Sequence, residues 1–378
     1  MTTTSDGFAK VVELPTAEQR EALAKAEQER KRICELILAQ ADGWRAEVKR
    51  WFIESDPSNT SDILAEHVRE PTKRVVMRYL ADNAKPEIIS TGFPDLDELM
   101  SLEPGSLVVV GARSGRGKSS LSFQLAMNVA MRSDGSSLYF SSEMPSEQLM
   151  LRGMCLLASV DSKRVRRAQV SPDENARLIG ACDDITRSMA WMVDKSGLDI
   201  LRIRKIARAE VRRIERECGR PVRVIVVDYL QRVRAGKAAV NGASREQAVA
   251  AIALELKEMA MELGVCVIAP AQLNADGDDR RDERPRSSDL RESKGIENEA
   301  DVVLLIHNPH YVARQNNPDH DHSKGEACEL ILAKGRSDGN GTVPVWFTPM
   351  FTRFSSMTKV ERDDWLRERA PKLKGKQW

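Results

Sequence analysis

The stretch Gly111-Ala112-Arg113-Ser114-Gly115-Arg116-Gly117-Lys118-Ser119-Ser120 decides the fold. It lies between a short apolar run, Leu107 to Val110, and an amphipathic helical pattern, which is the setting that a phosphate-binding P-loop requires. In such a loop, backbone N–H groups and the helix N-terminus surround phosphates, the lysine reaches the β- and γ-phosphates, and the next hydroxyl holds Mg²⁺. Ala112 stands where the G-x-x-x-x-G-K-[ST] pattern has its first glycine, with Gly111 just before it. The stretch therefore predicts nucleotide binding.

A P-loop needs an acidic partner at the end of a neighbouring strand. The apolar run Val224 to Val227 is followed by Asp228, whose carboxylate can hold the Mg²⁺ shell. Ser119 and Asp228 are thus the expected metal ligands. The residues assigned to nucleotide binding are Ala112, Arg113, Ser114, Gly115, Arg116, Gly117, Lys118, Ser119, Ser120 and Asp228.

Two further polar residues follow apolar runs. Glu143 comes after the run Ser137 to Ser141, where its carboxylate could orient or deprotonate an attacking water. Gln272 follows the run Val265 to Ala269, at the sheet edge where ligands bind in open α/β folds. From there an amide can touch both a γ-phosphate and a mobile loop, so Gln272 is predicted to be a sensor.

From about Ile88 onward, short apolar runs alternate with helix-length stretches, and this predicts an α/β fold with a mostly parallel sheet. The last two runs, Cys328 to Ala333 and Val343 to Phe347, are separated by a Gly/Asn-rich turn, so an antiparallel hairpin is expected at the sheet edge. The runs read as strands are Leu107 to Val110, Ser137 to Ser141, Val222 to Val227, Val265 to Ala269, Val302 to Ile306 and Leu330 to Ala333.

The first 87 residues predict a small all-helical module. Ile33, Ile37 and Trp44 belong to one apolar stripe on a charged helix. The segment Leu64 to Leu80, broken at Pro71, is similar to a helix-turn-helix. Oligomerisation, partner docking and DNA binding all stay open as roles for the module. The ATPase domain is expected over residues 88–358, and residues 359–378 are expected to be a basic, solvated tail ending in a short helix.

Charge and composition exclude several classes of protein. The chain has 58 Lys plus Arg and 57 Asp plus Glu, a formal net charge of +1, which excludes a polybasic nucleic-acid coat. No apolar run approaches the ~18 residues of a membrane span, and the polar N-terminus lacks the apolar core of a signal peptide. The six cysteines include no C-x-x-C pair, so neither a zinc site nor a disulfide framework is indicated. We expect a soluble cytoplasmic protein.

Several motifs together resemble the DnaB-type replicative helicases of the RecA-like superfamily. The resemblance spans about Ile88 to Phe354 in the family's motif order, and it implies a RecA-like P-loop ATPase fold. The motifs are Ser90-Thr91-Gly92-Phe93, the loop from Ala112 to Ser119, Ser142-Glu143-Met144-Pro145, Asp228-Tyr229-Leu230-Gln231, Gln272-Leu273-Asn274 and Ser288-Asp289-Leu290-Arg291-Glu292-Ser293.

The resemblance also implies residue roles. Lys118 and Ser119 would bind phosphate and Mg²⁺, Asp228 would be the Walker B acid, Glu143 the catalytic base and Gln272 the γ-phosphate sensor. Lys334-Gly335-Arg336 matches the family's Lys-x-Arg motif, in which the arginine acts on the ATP of the neighbouring subunit. A basic pair just before a hairpin turn agrees with that role, because it projects from the sheet edge.

The charged stretch from Asp276 to Lys294 is predicted to contact DNA. Its composition alone is typical of a solvated, mobile segment. In the family, the matching stretch lines the central channel and holds the single strand. Arg291 and Glu292 match the family, whereas Lys294-Gly295 stands in place of Gly-Ser and offers an ammonium group to phosphate. Arg245, in the loop after Asp228, is the other candidate, and the scarcity of aromatic residues favours phosphate contacts over base stacking.

The combined interpretation is a ring-forming DNA helicase, hexameric in the family's manner and dependent on ATP and Mg²⁺, that moves 5′ to 3′ along single-stranded DNA. Residues 1–87 are shorter than the family's N-terminal collar domain, so a collar and a primase contact are not carried over, and no loader or primase is identified. Two other classes stay open: a RecA-fold ATPase for recombination or repair, and a DNA-binding recruitment protein that ATP switches.

Overall fold

The computed structural model describes residues 88–132, 135–236, 244–273, 284–290, 293–311, 314, 321–335 and 340–373, together with Thr72. Side chains at 293, 294 and 369–373 are not described. The chain separates into two units between Glu87 and Ile88. The apolar stripe and the helix-turn-helix pattern of the first unit lie outside the described residues.

Within the described part of the chain, one nine-stranded sheet has the strand order β3-β2-β4-β5-β1-β6-β7-β8-β9. The first six strands in the chain pair in parallel, and β6 to β9 pair antiparallel. The mostly parallel α/β fold is therefore confirmed. The strands are β1 Leu107–Ala112, β2 Ser136–Ser141, β3 Ala190–Asp194, β4 Val222–Asp228, β5 Cys266–Gln272, β6 Val302–His307, β7 Glu326–Gly335, β8 Gly341–Thr348 and β9 Arg353–Ser356.

The predicted hairpin exists, but it does not form the sheet edge. Strands β7 and β8 pair antiparallel, as expected. Beyond them, β9 pairs with β8 through Ser356 and Val345, so β9 is the outermost strand. The expectation of an edge hairpin was wrong because β9 has the sequence Arg-Phe-Ser-Ser, which is too short and polar to be recognised from an apolar run.

The helices lie between the strands and pack on both faces of the sheet. The described helices are α1 Pro94–Leu99, α2 Lys118–Ala130, α3 Ser146–Ala158, α4 Ser162–Arg166, α5 Pro172–Arg187, α6 Ile200–Cys218, α7 Arg245–Leu263, α8 Ser293–Glu299 and α9 Lys359–Leu373. Of the described helices, none is long and apolar enough to cross a membrane.

Alternate residues of β1 face two different layers of helices. Val108 and Val110 belong to the cluster that includes Leu121 and Leu125 of α2. Leu107 and Val109 belong to the cluster that includes residues of α6 and α7, such as Ile203 and Ile252. Burial on both faces explains why the parallel strands are continuous apolar runs rather than alternating ones. The parallel order β4-β5-β1 places the carboxyl ends of these three strands side by side.

The C-terminal segment is helical from its start rather than only at its end, and most of the residues whose side chains are described in it are exposed. Helix α9 begins at Lys359, and Thr358 and Glu361 exchange backbone and side-chain hydrogen bonds at its N-terminus, as in a capping box. Arg362 forms an ion pair with Asp95 of α1. The charge density of this segment suggested solvation, but one of its charges is matched by a partner that lies 267 residues earlier.

Candidate nucleotide-binding site

The loop between β1 and α2 is bent by two glycines. Gly115 has φ 73° and Gly117, which precedes α2, has φ 96°. Glycine adopts such backbone angles without the steric cost that a Cβ atom imposes. At Gly117 a Cβ atom would also lie 2.8 Å from Phe354 Cζ of β9. The bend leaves the first N–H groups of α2 free of helical partners, as anion binding at a helix N-terminus requires.

Gly111 and Ala112 belong to β1 rather than to the loop. Ala112 is fully buried and pairs with Gln272 of β5. A Cβ atom on Gly111 would lie 2.6 Å from Leu305 Cδ2 and within 3.3 Å of side-chain carbons of Leu273 and Leu290, so these leucines would have to shift to accept any other residue here. The glycine missing from the first position of the motif is therefore not compensated by Gly111, which has a separate packing role.

Asp228 lies at the centre of the site. It ends β4, is 3% exposed, and accepts hydrogen bonds from Ser119 Oγ at 3.1 Å and from Tyr139 Oη at 2.6 Å. Burial raises the pKa of Asp228, against the Tyr139 hydrogen bond and the charge of Lys118, which both lower it. The hydroxyl and carboxylate that the sequence predicts as Mg²⁺ ligands are thus in direct contact.

Tyr139 was not identified from the sequence. It lies in β2, next to β4, and its ring packs edge-on against Phe123 with centroids 5.9 Å apart. Burial raises the pKa of Tyr139 well above its usual value, and the charge of Asp228 raises it further. The phenol therefore remains a hydrogen-bond donor to Asp228 at neutral pH.

Lys118 is the first residue of α2, and its ammonium lies 4.5 Å from the centroid of the Tyr229 ring. Tyr229 directly follows Asp228, so one strand end supplies both the carboxylate and the aromatic ring. A cation–π contact of this kind holds a cation without neutralising it. The lysine charge is thereby kept beside the loop, where phosphates would need it.

Glu143 is exposed in the turn after β2, at the same edge of the sheet as Asp228. Its turn is attached to β4, because Ser142 N donates to Asp228 O at 2.9 Å. It is also held internally by a hydrogen bond of 3.2 Å from Met144 N to Ser141 Oγ. The turn that carries Glu143 is thus attached to the end of β4, where Asp228 lies.

Gln272 ends β5, and a neighbouring amide clamps its main chain. Gln231 Nε2 donates to Gln272 O at 3.2 Å, and Gln272 N donates to Gln231 Oε1 at 3.1 Å. Gln231 lies in the short 3₁₀ turn Leu230–Arg232, three residues after Asp228. In the sequence, Gln231 is recognisable only as part of a motif. The signal for its role is that it is polar and follows the strand that ends in Asp228.

One bridge connects Gln272 to the predicted DNA-contacting stretch. Leu273 pairs antiparallel with Leu290, the residue before Arg291. Arg291 and Glu292 themselves lie outside the described residues, and for Lys294 only the backbone, within α8, is described. Helix α8 packs closely on α7, since a Cβ atom on Gly295 would lie 2.9 Å from Ala250 Cα. The start of α7, where Arg245 is the first residue, therefore neighbours α8.

Lys334 lies near the end of β7. Its ammonium donates to the main-chain carbonyl oxygens of Glu297 and Asn298, at the C-terminal end of α8. A cation at this end of a helix is favourable because the carbonyl groups there carry partial negative charge. Arg336, the predicted residue that acts on a neighbouring subunit, lies outside the described part of the chain.

A cavity beside Ser119 adds residues that the sequence did not indicate. It is lined by Ser119 and Ser120 at the start of α2, by Arg152 of α3, and by Thr352 of the turn between β8 and β9, together with Phe123, Leu149 and Leu156. Its position next to the loop makes Arg152 and Thr352 neighbours of any group bound there.

The residues present fit a nucleotide with its Mg²⁺. The loop offers backbone N–H groups and a lysine to phosphates, and Ser119 with Asp228 offers two oxygen ligands of the kind that Mg²⁺ prefers. Within the described residues, no group of three or more His, Cys, Asp and Glu side chains is placed to hold a metal ion elsewhere.

Comparison with known proteins agrees with this geometry. Residues 88–356 match the model of the DnaB-like helicase C-terminal domain. The chain is 38% identical over 282 residues to the replicative DNA helicase DnaB of Pasteurella multocida, covering 73% of this chain and 57% of that protein. It is 35% identical over 324 residues to its Haemophilus influenzae counterpart, covering 84% of this chain and 65% of that protein.

A solved structure gives the same result for the fold. It is an ATPase domain that matches with a TM-score of 0.68 and 26% sequence identity, over 78% of this chain and 100% of that one. The chain spans about 57–66% of the length of the first curated relatives that it matches. The sequence, the sheet order and the loop geometry lead to one conclusion: this chain belongs to the family of DnaB-like helicases, and its residues 88–356 form their C-terminal domain.

Proposed function

We propose that this chain is an ATP-hydrolysing DNA helicase that assembles into a hexameric ring, moves 5′ to 3′ on single-stranded DNA and unwinds duplex DNA during replication. The observation that carries the proposal is the contact of Ser119 Oγ with the buried Asp228 carboxylate, directly after a P-loop, in a member of the DnaB-like family. This contact joins the two groups that a Mg²⁺–nucleotide complex requires in P-loop ATPases.

In this proposal, the phosphates bind to the loop from Arg113 to Gly117, which follows Ala112 at the end of β1, and to the first residues of α2, Lys118 to Ser120. Lys118 donates to the β- and γ-phosphate oxygens from its place over the Tyr229 ring. Ser119 and Asp228 would hold Mg²⁺, which when bound supplies positive charge against the phosphate oxygens. Tyr139 keeps one oxygen of Asp228 occupied, so that the other oxygen is directed at Ser119.

Glu143 accepts a proton from the attacking water, and Gln272 senses the γ-phosphate. The exposure of Glu143 supports this role, because a base in contact with solvent can position a water molecule and return its proton. The clamp from Gln231 supports the role of Gln272, since it fixes the main chain while leaving the Gln272 side chain available. Arg336, with Lys334 beside it, would stabilise transition-state charge in the neighbouring subunit.

Single-stranded DNA would be held by Arg245, Arg291, Glu292 and Lys294. The close packing of α8 on α7 supports a common surface for Arg245 and Lys294. The pairing of Leu290, the residue before Arg291, with Leu273, the residue after Gln272, supports a connection between the DNA-contacting stretch and the sensor. Three of these four residues carry positive charge, so binding should weaken as salt rises.

The test is ATP hydrolysis with and without single-stranded DNA for the wild type, Lys118→Ala and Arg336→Ala. We expect DNA to stimulate the wild type and each change to lower turnover, by ~10³-fold or more for the arginine. Unimpaired turnover in both variants would contradict the proposal. A forked-duplex unwinding assay then separates a helicase from a RecA-fold repair ATPase, which would hydrolyse ATP without unwinding the fork.

Deletion of residues 1–87 distinguishes a DNA helicase from the third candidate, a DNA-binding recruitment protein that is switched by ATP. Loss of site-specific DNA binding with intact ATP hydrolysis would favour an ATP-switched recruitment protein. Loss of ring formation alone would favour an oligomerisation role for these residues.

A further inference from the structure

Tyr311, which lies almost 200 residues after the phosphate-binding loop in the sequence, contacts that loop in the structure. Tyr311 lies four residues after the end of β6, and its ring contacts the loop at Gly115. A Cβ atom on Gly115 would come within 2.9 Å of Tyr311 Cε2. The ring therefore leaves no space for a side chain at the loop residue whose φ is 73°.

The same ring is in contact with two arginines. Arg116, the loop residue after Gly115, has its guanidinium carbon 5.1 Å from the ring centroid, and Arg314 has its own at the same distance of 5.1 Å. Arg116 is only 5% exposed, so its cation is largely desolvated. Cation–π contacts are strongest when water is excluded from the cation.

Both arginines are attached to the start of β7 through a short network. Arg116 donates to the main-chain oxygen of Asn308, and Asn308 Nδ2 donates to Glu326 Oε2 at 3.0 Å. Arg314 forms an ion pair of 2.6 Å with the same Glu326 oxygen. Glu326 is the first residue of β7 and is buried. The loop is thus connected to the strand whose other end carries Lys334.

We propose that Tyr311 is a positioning residue for the phosphate-binding loop: in contact with Gly115 and with the guanidinium groups of Arg116 and Arg314, it holds Gly115 and Arg116 in the conformation that receives phosphates. This inference rests on the proposed function, because it concerns affinity for a nucleotide. It assigns to the segment after β6 the task of ordering the loop before the nucleotide arrives.

The physical reason is preorganisation. A loop with two glycines in the left-handed region has many alternative conformations when it is unsupported, and binding would have to order it at a cost in affinity. Stacking on Tyr311 removes part of this cost in advance. The ring is what matters for stacking, whereas the phenol oxygen contributes little to a cation–π contact.

The test compares Tyr311→Leu with Tyr311→Phe in the full-length protein. We expect Tyr311→Leu to raise the dissociation constant for Mg²⁺–ADP about five- to tenfold, the size that loss of two cation–π contacts implies. Tyr311→Phe keeps the ring and both cation–π contacts, so it should lose clearly less affinity than Tyr311→Leu. Arg116→Met removes one cation of the stack and should weaken binding in the same direction.

Trp191→Leu is the matched control. Trp191 of β3 lies 4.7 Å from the guanidinium carbon of Arg213 on α6, so its removal deletes a cation–π contact on another part of the sheet. We expect this variant to have a lower thermal unfolding midpoint and unchanged ADP affinity. Wild-type affinity in Tyr311→Leu, or equal losses of affinity in Tyr311→Leu and Trp191→Leu, would overturn the inference.

Hydrogen exchange of the nucleotide-free protein provides a readout that needs no ligand. The amides of residues 113–119 should exchange faster in Tyr311→Leu than in Tyr311→Phe or the wild type, and equal exchange would also overturn the inference. A wild type that binds no Mg²⁺–ADP would instead refute the proposed function, while the exchange comparison would still decide whether Tyr311 orders the loop.

Discussion

Asp228 has to be ionised to bind a cation, yet its surroundings favour the protonated form. It is 3% exposed, and this burial raises its pKa despite hydrogen bonds from Tyr139 and Ser119. Keeping such a buried carboxylate ionised lowers the free energy of unfolding, although the ionised form is the one that binds a cation. The residue therefore makes opposite contributions to stability and to the proposed activity.

We predict that Asp228→Asn stabilises the nucleotide-free protein at pH 7 and lowers ATP hydrolysis at least ~100-fold. Because the pKa of Asp228 is raised in the folded state, its contribution to stability is fully present below the unfolded pKa and is lost as pH rises through the folded value. The ionised side chain is then a cost at neutral pH, and asparagine removes that cost. Thermal unfolding at pH 7 and pH 4 measures the effect, which should shrink at the lower pH. A midpoint below that of the wild type at pH 7 would contradict the prediction.

We predict that Gln231→Met lowers the turnover number for ATP ~5- to 30-fold with nucleotide affinity unchanged. Methionine keeps the length of the side chain but removes both hydrogen bonds to the Gln272 main chain, and such bonds contribute ~0.5–1.5 kcal/mol each. Steady-state kinetics and equilibrium binding of ADP separate the two quantities.

Gln124→Met is the contrasting variant. Gln124 makes the same pair of bonds to the main chain of Phe354, which packs under Gly117 of the loop. Loss of these two bonds in Gln124→Met should lower the affinity for nucleotide more than it lowers the turnover number. The same profile in Gln231→Met would argue against a role for Gln231 in sensing.

At the scale of elements, α6 and α7 are joined across the sheet surface by an ionic cluster. Arg204 contacts Glu255, Glu258 and Glu262, and Arg208 contacts Glu262 as well. The hydrogen bond from Arg208, with help from Arg204, lowers the pKa of Glu262 to about 2. Networks of several charges stabilise a fold more than isolated surface pairs do.

We predict that Glu262→Gln lowers the free energy of unfolding by ~1 kcal/mol at pH 7. Since the pKa of Glu262 is depressed in the folded state, its contribution is present above the unfolded value of 4.5 and is lost as pH falls toward about 2. Chemical denaturation at descending pH should show the difference from the wild type shrinking in that window. Glu217→Gln, whose side chain is 50% exposed beside Arg213, is the control and should cost less.

The parallel strands could be predicted because each is buried on both faces and is therefore a continuous apolar run. Their carboxyl ends were predicted too short, since Asp228 and Gln272 are polar and yet still belong to their strands. Strand β3, Ala190–Asp194, is half-buried in its first four residues and exposed at Asp194, so its hydrophobicity could not distinguish it from a loop.

Local motifs predicted the loop, Asp228, Glu143 and Gln272, because each follows a recognisable strand or glycine pattern. Tyr139 and Tyr311 could not be found in that way, and Gln231 was visible only as a member of the motif after Asp228, without a role. Tyr139 reaches Asp228 across 89 residues, and Gln231 reaches Gln272 across 41. Such contacts depend on the order of strands in the sheet, which no local pattern contains.

At the scale of the whole molecule, we predict that Lys118→Ala and Arg336→Ala subunits complement each other. If the arginine acts on the neighbouring subunit's nucleotide, about one quarter of the interfaces in a randomly mixed head-to-tail ring combine an intact lysine with an intact arginine. ATP hydrolysis of the mixture should therefore exceed that of either parent. The wild type diluted with Lys118→Ala is the control for subunit exchange, and a mixture no more active than its parents, despite exchange, would place the arginine's action within its own subunit.

The two ends of helix α8 lie next to two different predicted functional segments. It starts two residues after Arg291, where the strand of DNA is proposed to be held, and it ends on the ammonium of Lys334, two residues before Arg336. Seven residues of helix are a rigid rod about 10 Å long. A rigid rod transmits an axial displacement from one end to the other, so in the proposed function a movement of the DNA-contacting stretch would be passed to Lys334 and to the segment that carries Arg336.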